Sequence, residues 1–215
     1  MTRRLGFSLA LLFLVAASGP ALAQSPEWRV GGRALYVASA TTSDELGDTG
    51  LTLDMKSGFG LDFEASVMFS QRFGAEFSIG ATAHRLDLTG GECCDVDGGR
   101  VWLVPLTAIA QYHVQVYGQW DPYIGLGITY IAPIYKLSTD LSDAGIEELD
   151  IEGGAGLAAQ VGLNYRLDNR WYVNLDLRYL DVSLEARVST DEADLPPVTL
   201  DIKPFVIGLG VGYRY

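Results

Sequence analysis

Eight short segments of this 215-residue chain carry an apolar residue at every second position, and after residue 23 no apolar run is long enough to form a membrane-crossing helix. Spanning a bilayer as a helix takes roughly 20 consecutive apolar residues. Yet hydrophobic residues make up 48% of the chain. Apolar content dealt out by alternation belongs to strands, whose successive side chains point to opposite faces. A helical membrane protein is thereby excluded, and a barrel that is apolar outside and polar inside is expected.

The clearest strand places Phe59, Leu61, Phe63, Ala65, Val67 and Phe69 on one face, with Asp62, Glu64 and Ser66 on the other. A turn at Ser70, Gln71 and Arg72 leads into Ala75, Phe77, Ile79 and Ala81, which alternate with Glu76, Ser78 and Thr82. Upstream, Trp28, Val30, Gly32, Ala34 and Tyr36 oppose Arg29 and Arg33. Downstream, the series starting at Trp102, Ile124, Leu157, Trp171 and Phe205 repeat the pattern. These segments predict an all-β fold of eight antiparallel strands, an even number as bacterial barrels require.

The connections alternate in length. Short turns are expected near 70–74, 114–121 and 168–170, and long polar loops near 40–56, 87–100, 132–153 and 185–201. Short periplasmic turns and long external loops are the rule in such barrels, so the topology orients itself. Aromatic residues cluster at both ends of the strands, as two interfacial girdles would require. Trp28, Phe69, Tyr112, Tyr165, Trp171 and Tyr213 fall at the turn end. Tyr36, Phe59, Trp102, Tyr130 and Tyr179 fall at the loop end.

Residues 1–23 read as a secretory signal, with Arg3 and Arg4 before an apolar stretch and small residues at Ala21 and Ala23. Residues 24–215, about 190 in all, then form one barrel domain. A Gram-negative outer membrane is the expected destination, with its lipid and lipopolysaccharide as surroundings. The last strand ends on Tyr213 and Tyr215, an alternating aromatic terminus similar to the signal read by the barrel-assembly machinery.

The formal charge of -12 argues against nucleic acid, which calls for a basic surface. Most carboxylates fall in the external loops, where solvation accounts for them. The stretch from Asp95 to Gly98 is too short for a calcium loop of the EF-hand type. Neither a metal nor another cofactor is expected. Cys93 and Cys94 are adjacent and define no disulfide framework. The two histidines, His84 and His113, lie in no His-x-Ser arrangement, so no activated nucleophile is evident and an enzyme is not expected.

Turning the second face of each strand inward divides the lumen by depth. The turn half collects Arg29, Arg33, Glu64, Glu76, His113, Arg166, Asp176, Arg178 and Arg214, together with Gln111, Asn164 and Asn174. An eight-stranded barrel has an interior that side chains can just fill, and buried charges there must pair. A polar plug is expected. The loop half presents Leu35, Val37, Leu103, Pro105, Ile109, Ile131, Leu180 and Val206. Two readings of this apolar mouth stand side by side: an entry for a lipophilic molecule, or simple packing beneath the loops. Above a charged floor, an admitted lipophile has to leave sideways into the bilayer. Pro105 cannot donate a ladder hydrogen bond, which marks either a weak seam in the wall or a bulge.

Several of these segments together resemble the OmpW family of outer-membrane proteins. They are residues 28–34 (Trp-Arg-Val-Gly-Gly-Arg-Ala), Pro105-Leu106-Thr107 leading to Gln111-Tyr112-His113, Asp121-Pro122-Tyr123 running to Gly127, and the final strand from Pro204 to Tyr215. The resemblance spans nearly all of the chain after residue 23. It implies an eight-stranded barrel with a hydrophobic channel that takes up small hydrophobic molecules. The alternative is a structural barrel whose acidic loops bind lipopolysaccharide, phage or host surfaces.

Overall fold

A computed structural model describes residues 26–38, 41–43, 52–89, 96–114, 118–136, 146–190 and 198–215. The leader expected over residues 1–23 and the Cys93–Cys94 pair lie outside these described residues. The strands are β1 (Glu27–Ala38), β2 (Thr41–Ser43), β3 (Thr52–Met55), β4 (Gly58–Met68), β5 (Phe73–Thr89) and β6 (Val96–His113). They continue with β7 (Trp120–Lys136), β8 (Ile146–Glu152), β9 (Gly154–Arg166), β10 (Trp171–Thr190), β11 (Val198–Ile202) and β12 (Phe205–Arg214).

Twelve segments make eight staves. β1, β4, β5, β6, β7, β9, β10 and β12 pair each with the next, all antiparallel, and β12 returns to β1. The ring closes from Arg29 opposite Arg214 to Ala38 opposite Phe205. β3 pairs with β5 as β4 does, and β8 and β11 pair with β10 as β9 and β12 do. β2 joins β11 above the β1–β12 seam. These four short pieces therefore extend existing staves. Closure leaves no strand edge facing lipid, where an unpaired backbone group has no water to bond.

The pieces also correct the expected loops. Parts of 40–56, 87–100, 132–153 and 185–201 are strand, and β10 alone runs for 20 residues. Apolar alternation reveals strands only where one face meets lipid. Farther out the outward positions turn polar, as at Asp181 and Ser183, while the backbone ladder continues, as in the register of Arg187 with Asp150.

Outward apolar side chains stand bare on the isolated chain, with Phe59 71%, Leu126 72% and Leu157 67% exposed. So continuous an exposed apolar wall needs lipid around it. Its girdles are built of cross-strand ring pairs: Trp120–Tyr165, Trp171–Tyr213 and Phe73–Tyr112 at the turn end, Tyr36–Phe59 and Tyr179–Phe205 at the loop end. The Tyr215 amide donates to the Trp28 carbonyl, a backbone bond that fastens the C-terminus to the first strand, and the Tyr215 ring packs edge-on against Tyr213.

The tight turns are made by side-chain acceptors. Ser70 Oγ takes the amides of Arg72 and Phe73, and the Asp168 carboxylate takes those of Arg170 and Trp171. Those contacts satisfy turn amides that the strands cannot reach.

Candidate functional site

The lumen rises in three levels. At the turn-end rim, Arg29 bonds Glu27 at 2.8 Å and Asp121 at 3.0 Å. Asp121 also holds His113 Nδ1 at 2.8 Å, and the His113 ring stacks on Tyr123. Arg214 approaches Glu27 at 3.4 Å, while Arg166 donates to the carbonyl of Gly118. Arg166 and Arg214 are therefore rim residues with partial solvent access, placed below the closed network that was expected to include them.

The middle level is that network. Arg33, whose side chain is 0% exposed, grips Asp62 with two hydrogen bonds of 2.9 and 3.0 Å and reaches Glu76 at 2.9 Å and Glu64 at 2.8 Å. Arg178 meets Asp62 at 3.1 Å, Glu76 at 2.9 Å and Asp176 at 2.8 Å. Two of these contacts, Arg33 to Glu64 and Arg178 to Asp176, are close without hydrogen-bond geometry, so charge alone holds them. Neutral donors complete the set: Gln111 to Glu76 at 2.8 Å, Gln160 to Asp176 at 2.7 Å, Tyr172 to Glu64 and Tyr123 to Asp176 at 3.1 Å each.

Inward glycines make the tyrosines possible. A Cβ on Gly162 would lie 2.2 Å from the Tyr123 ring, and one on Gly212 would lie 2.1 Å from that of Tyr172. Each ring lies flat over bare backbone on the adjoining stave and so brings its hydroxyl to mid-lumen.

The upper level is apolar. Leu35, Val37, Leu103, Ile131, Leu180 and Val206 are buried on the inner face, joined by Met55, Val101 and Ile202. Within it is a cavity of about 30 Å³ with Asp62 and Arg178 at its floor, room for one or two waters. Ile109 is buried in the same apolar cluster and stands at its lower end, in register with Glu76 and Gly127. Pro105 lines the cavity while half-buried in the wall.

At Pro105 the wall itself changes. The β5–β6 ladder runs from Phe73 opposite Tyr112 to Ile79 opposite Leu106 and resumes at Thr82 opposite Leu103. Gly80 and Ala81, which face Pro105 and Val104 in that order, are skipped. A Cβ at Gly80 would stand 3.4 Å from Pro105 Cγ and 3.1 Å from Asp62 Cβ, a fit that favours glycine there. Outside this stretch is a lipid-facing groove bounded by Phe77, Ile79, Leu106 and Ala108. Ser78 and Thr107 border both the inner cavity and the outer groove, so the wall here is a single strand thick.

Sequence reasoning left Asp62, Tyr123, Tyr172 and Gln160 out of the plug, and Met55, Thr82, His84 and Ile202 out of the mouth. Alternation placed Asp62 on the inner face; its link to two arginines, 29 and 116 positions away, is a product of closure. Among the described residues no group of three His, Cys, Asp or Glu is arranged to hold a metal ion.

Residues 30–215 match the OmpW family. An outer-membrane protein of Sinorhizobium fredii is 32% identical over 93% of this chain and 84% of its own length. Outer membrane protein AlkL of Ectopseudomonas oleovorans is 30% identical over 86% of this chain and 73% of its own length. Among solved structures, OprG of Pseudomonas aeruginosa superposes with a TM-score of 0.79 at 21% identity, covering 89% of this chain and 96% of that one. With a closed eight-stave barrel, an apolar outer wall and a family match over nearly its whole described length, this chain belongs to the OmpW family of outer-membrane β-barrel proteins.

Proposed function

We propose that this barrel is a passive conduit for small hydrophobic molecules, admitted at the loop end and released sideways into the bilayer, and that it works without catalysis. The observation that carries the reading is the shared border of Ser78 and Thr107 between an apolar inner cavity and a lipid-facing groove, beside an interrupted ladder. Straight passage is opposed from below. A molecule leaving toward the periplasm would have to part Arg33 and Arg178 from buried carboxylates, which costs several kcal/mol for each pair broken. At about 30 Å³ the cavity is too small for a decane-sized guest, so transit requires Leu35, Leu103, Leu180 and Met55 to change rotamer and the wall at Pro105 to part.

Uptake of labelled dodecane by cells with the barrel, without it, or carrying Leu103→Asp tests the reading, with folding checked by heat-modifiable gel migration. Barrel-dependent uptake that falls at least about tenfold in the folded variant is the expected result, because a carboxylate desolvated by the guest opposes entry. Equal uptake with and without the barrel would sink the proposal and turn attention to the external segments as a binding surface. Pro105→Ala addresses the exit: it restores a donor to the wall, and slower uptake from a more stable barrel is expected. If faster or unchanged uptake were seen, the exit would have to lie elsewhere.

A further inference from the structure

We infer that Met55 is the gate of the lumen mouth, that a bulge in the wall aims it inward, and that His84 is the positioning residue that holds the bulge. This rests on the conduit reading above and names the side chain that sets which lipophiles enter.

Among the residues of its stave that line the cavity, Met55 stands farthest out. Asp62 lies at the floor opposite Gly80, whereas Met55 lies opposite Leu86, beyond Thr82 and His84 on β5. Ile202 holds the corresponding place on β11, opposite Val182 and two rungs beyond Leu180. These are the first lining side chains that a molecule arriving from the loop end meets. They differ in freedom. Ile202 is β-branched and stiff at its first torsion, while the unbranched Met55 can fold aside without moving the backbone. Met55 is the one that yields.

Strand alternation alone would not point Met55 into the lumen. The inward positions of β4 are even-numbered, as at Asp62 and Glu64, and that phase carried outward would bring in Lys56. Instead, four steps from Met55 to Phe59 answer three steps from Leu86 to Ala83, so the β3–β4 side holds one extra residue. Lys56 and Ser57 are both exposed, and Met55 is buried. A bulge of this kind re-aims the side chains beyond it. Here it puts a methionine at the mouth in place of a lysine.

His84 holds the bulge from within. Its Nδ1 lies 3.0 Å from the Lys56 carbonyl, which can only accept, so Nδ1 donates. The buried ring lies on bare backbone at Gly58, where a Cβ would come within 2.7 Å of Nδ1 and Cε1. The Lys56 amide donates in turn to the Arg85 carbonyl at 2.9 Å. With the imidazole donor gone, a slip of one residue restores the regular ladder and turns every side chain of β3 to its other face.

The test measures barrel-dependent entry, the rate above barrel-free cells, of labelled dodecane and of the wider adamantane. Folding of each variant is checked by heat-modifiable migration. Met55→Ala should speed both guests, dodecane at least about threefold and adamantane by more. Met55→Ile, similar in bulk but stiff, should slow both, and it decides the matter if the alanine variant does not fold. For His84, Met55→Cys is placed in a chain carrying Cys93→Ser and Cys94→Ser, and the folded barrel is treated in detergent with a water-soluble maleimide. Labelling should be slow, and at least about tenfold faster once His84→Phe keeps a ring and removes the donor, because the slip turns position 55 outward. Entry at the wild-type rate through folded Met55 variants overturns the gate and leaves the conduit standing. Labelling indifferent to His84→Phe overturns the role of His84. No barrel-dependent entry of either guest by the wild type overturns the conduit and the gate with it.

Discussion

The network level and the mouth of the lumen are lined by the same staves only a few residues apart, yet they are packed on opposite principles. Around Arg33, directional bonds and charge fix every guanidinium and carboxylate, and tyrosines reach in over glycines to supply further donors. Around Leu103, non-directional contacts among Leu, Val, Ile and Met hold the structure, and a small cavity remains. A network of paired charges has one low-energy arrangement, because separating any pair strands a charge in a dry interior. Apolar side chains trade one packing for another at little cost. In the conduit proposed above, the floor is the part that stays shut and the mouth the part that yields.

The comparison is broken most directly at the floor. Arg33→Met removes the partner of Asp62, Glu64 and Glu76 together, and a loss of at least about 3–5 kcal/mol is expected. Urea unfolding in lipid, or failure to reach the heat-modifiable form, measures it. A loss below about 1 kcal/mol would mean that water already enters the network. In the mouth, Leu180→Ala should cost about 2 kcal/mol, the low end for such a truncation, because a neighbouring cavity already loosens the packing. Its uptake of dodecane should rise while Arg33→Met stability falls, and a mouth variant as damaging as the floor variant would erase the distinction. Gly212→Ala sharpens the comparison from another side. The added methyl displaces the Tyr172 ring and takes its hydroxyl from Glu64, with an expected loss of about 1–3 kcal/mol.

The smallest effect is expected outside the membrane, in the turn after β9. Bonds from the Trp171 and Arg170 amides hold the Asp168 carboxyl below its ordinary value. A depressed folded value means that the contribution is present above roughly pH 5 and fades as pH falls through the carboxylate range. Protection of the Trp171 amide, its exchange rate taken relative to the intrinsic rate at each pH, should therefore fall on acidification in the wild type and be low and flat with pH in Asp168→Ala. Since this carboxyl is fully exposed, overall stability should barely respond.

Much of the barrel was legible because lipid imposes a period of two. Phe59 to Phe69 announced a strand, its outward face and its inward Asp62 and Glu64 together. The same signal fell silent where lipid ended, so β8 and the outer part of β10 passed for loop. Depth was less legible than face: Ile109 has the inward phase and the apolar neighbours expected of it, but its height, at the lower end of that cluster beside Glu76, depends on the stagger of β6 against β5 and β7. The polar wall formed by Thr82 and His84 went unassigned because residues that alternate correctly say nothing about which inward neighbours they will meet.

By itself the sequence determined the fold class, the two faces of the membrane-spanning staves, the aromatic girdles and the kinds of side chain that fill the lumen. All of these follow from strand geometry and the solvent on each side. Only the tertiary structure decided that Arg33 and Arg178 share Asp62 and Glu76, and that Gly80 sits opposite Pro105 at the skipped rungs. Those contacts join staves far apart in the chain, and they exist only once closure and register have set which inward residues stand at the same height.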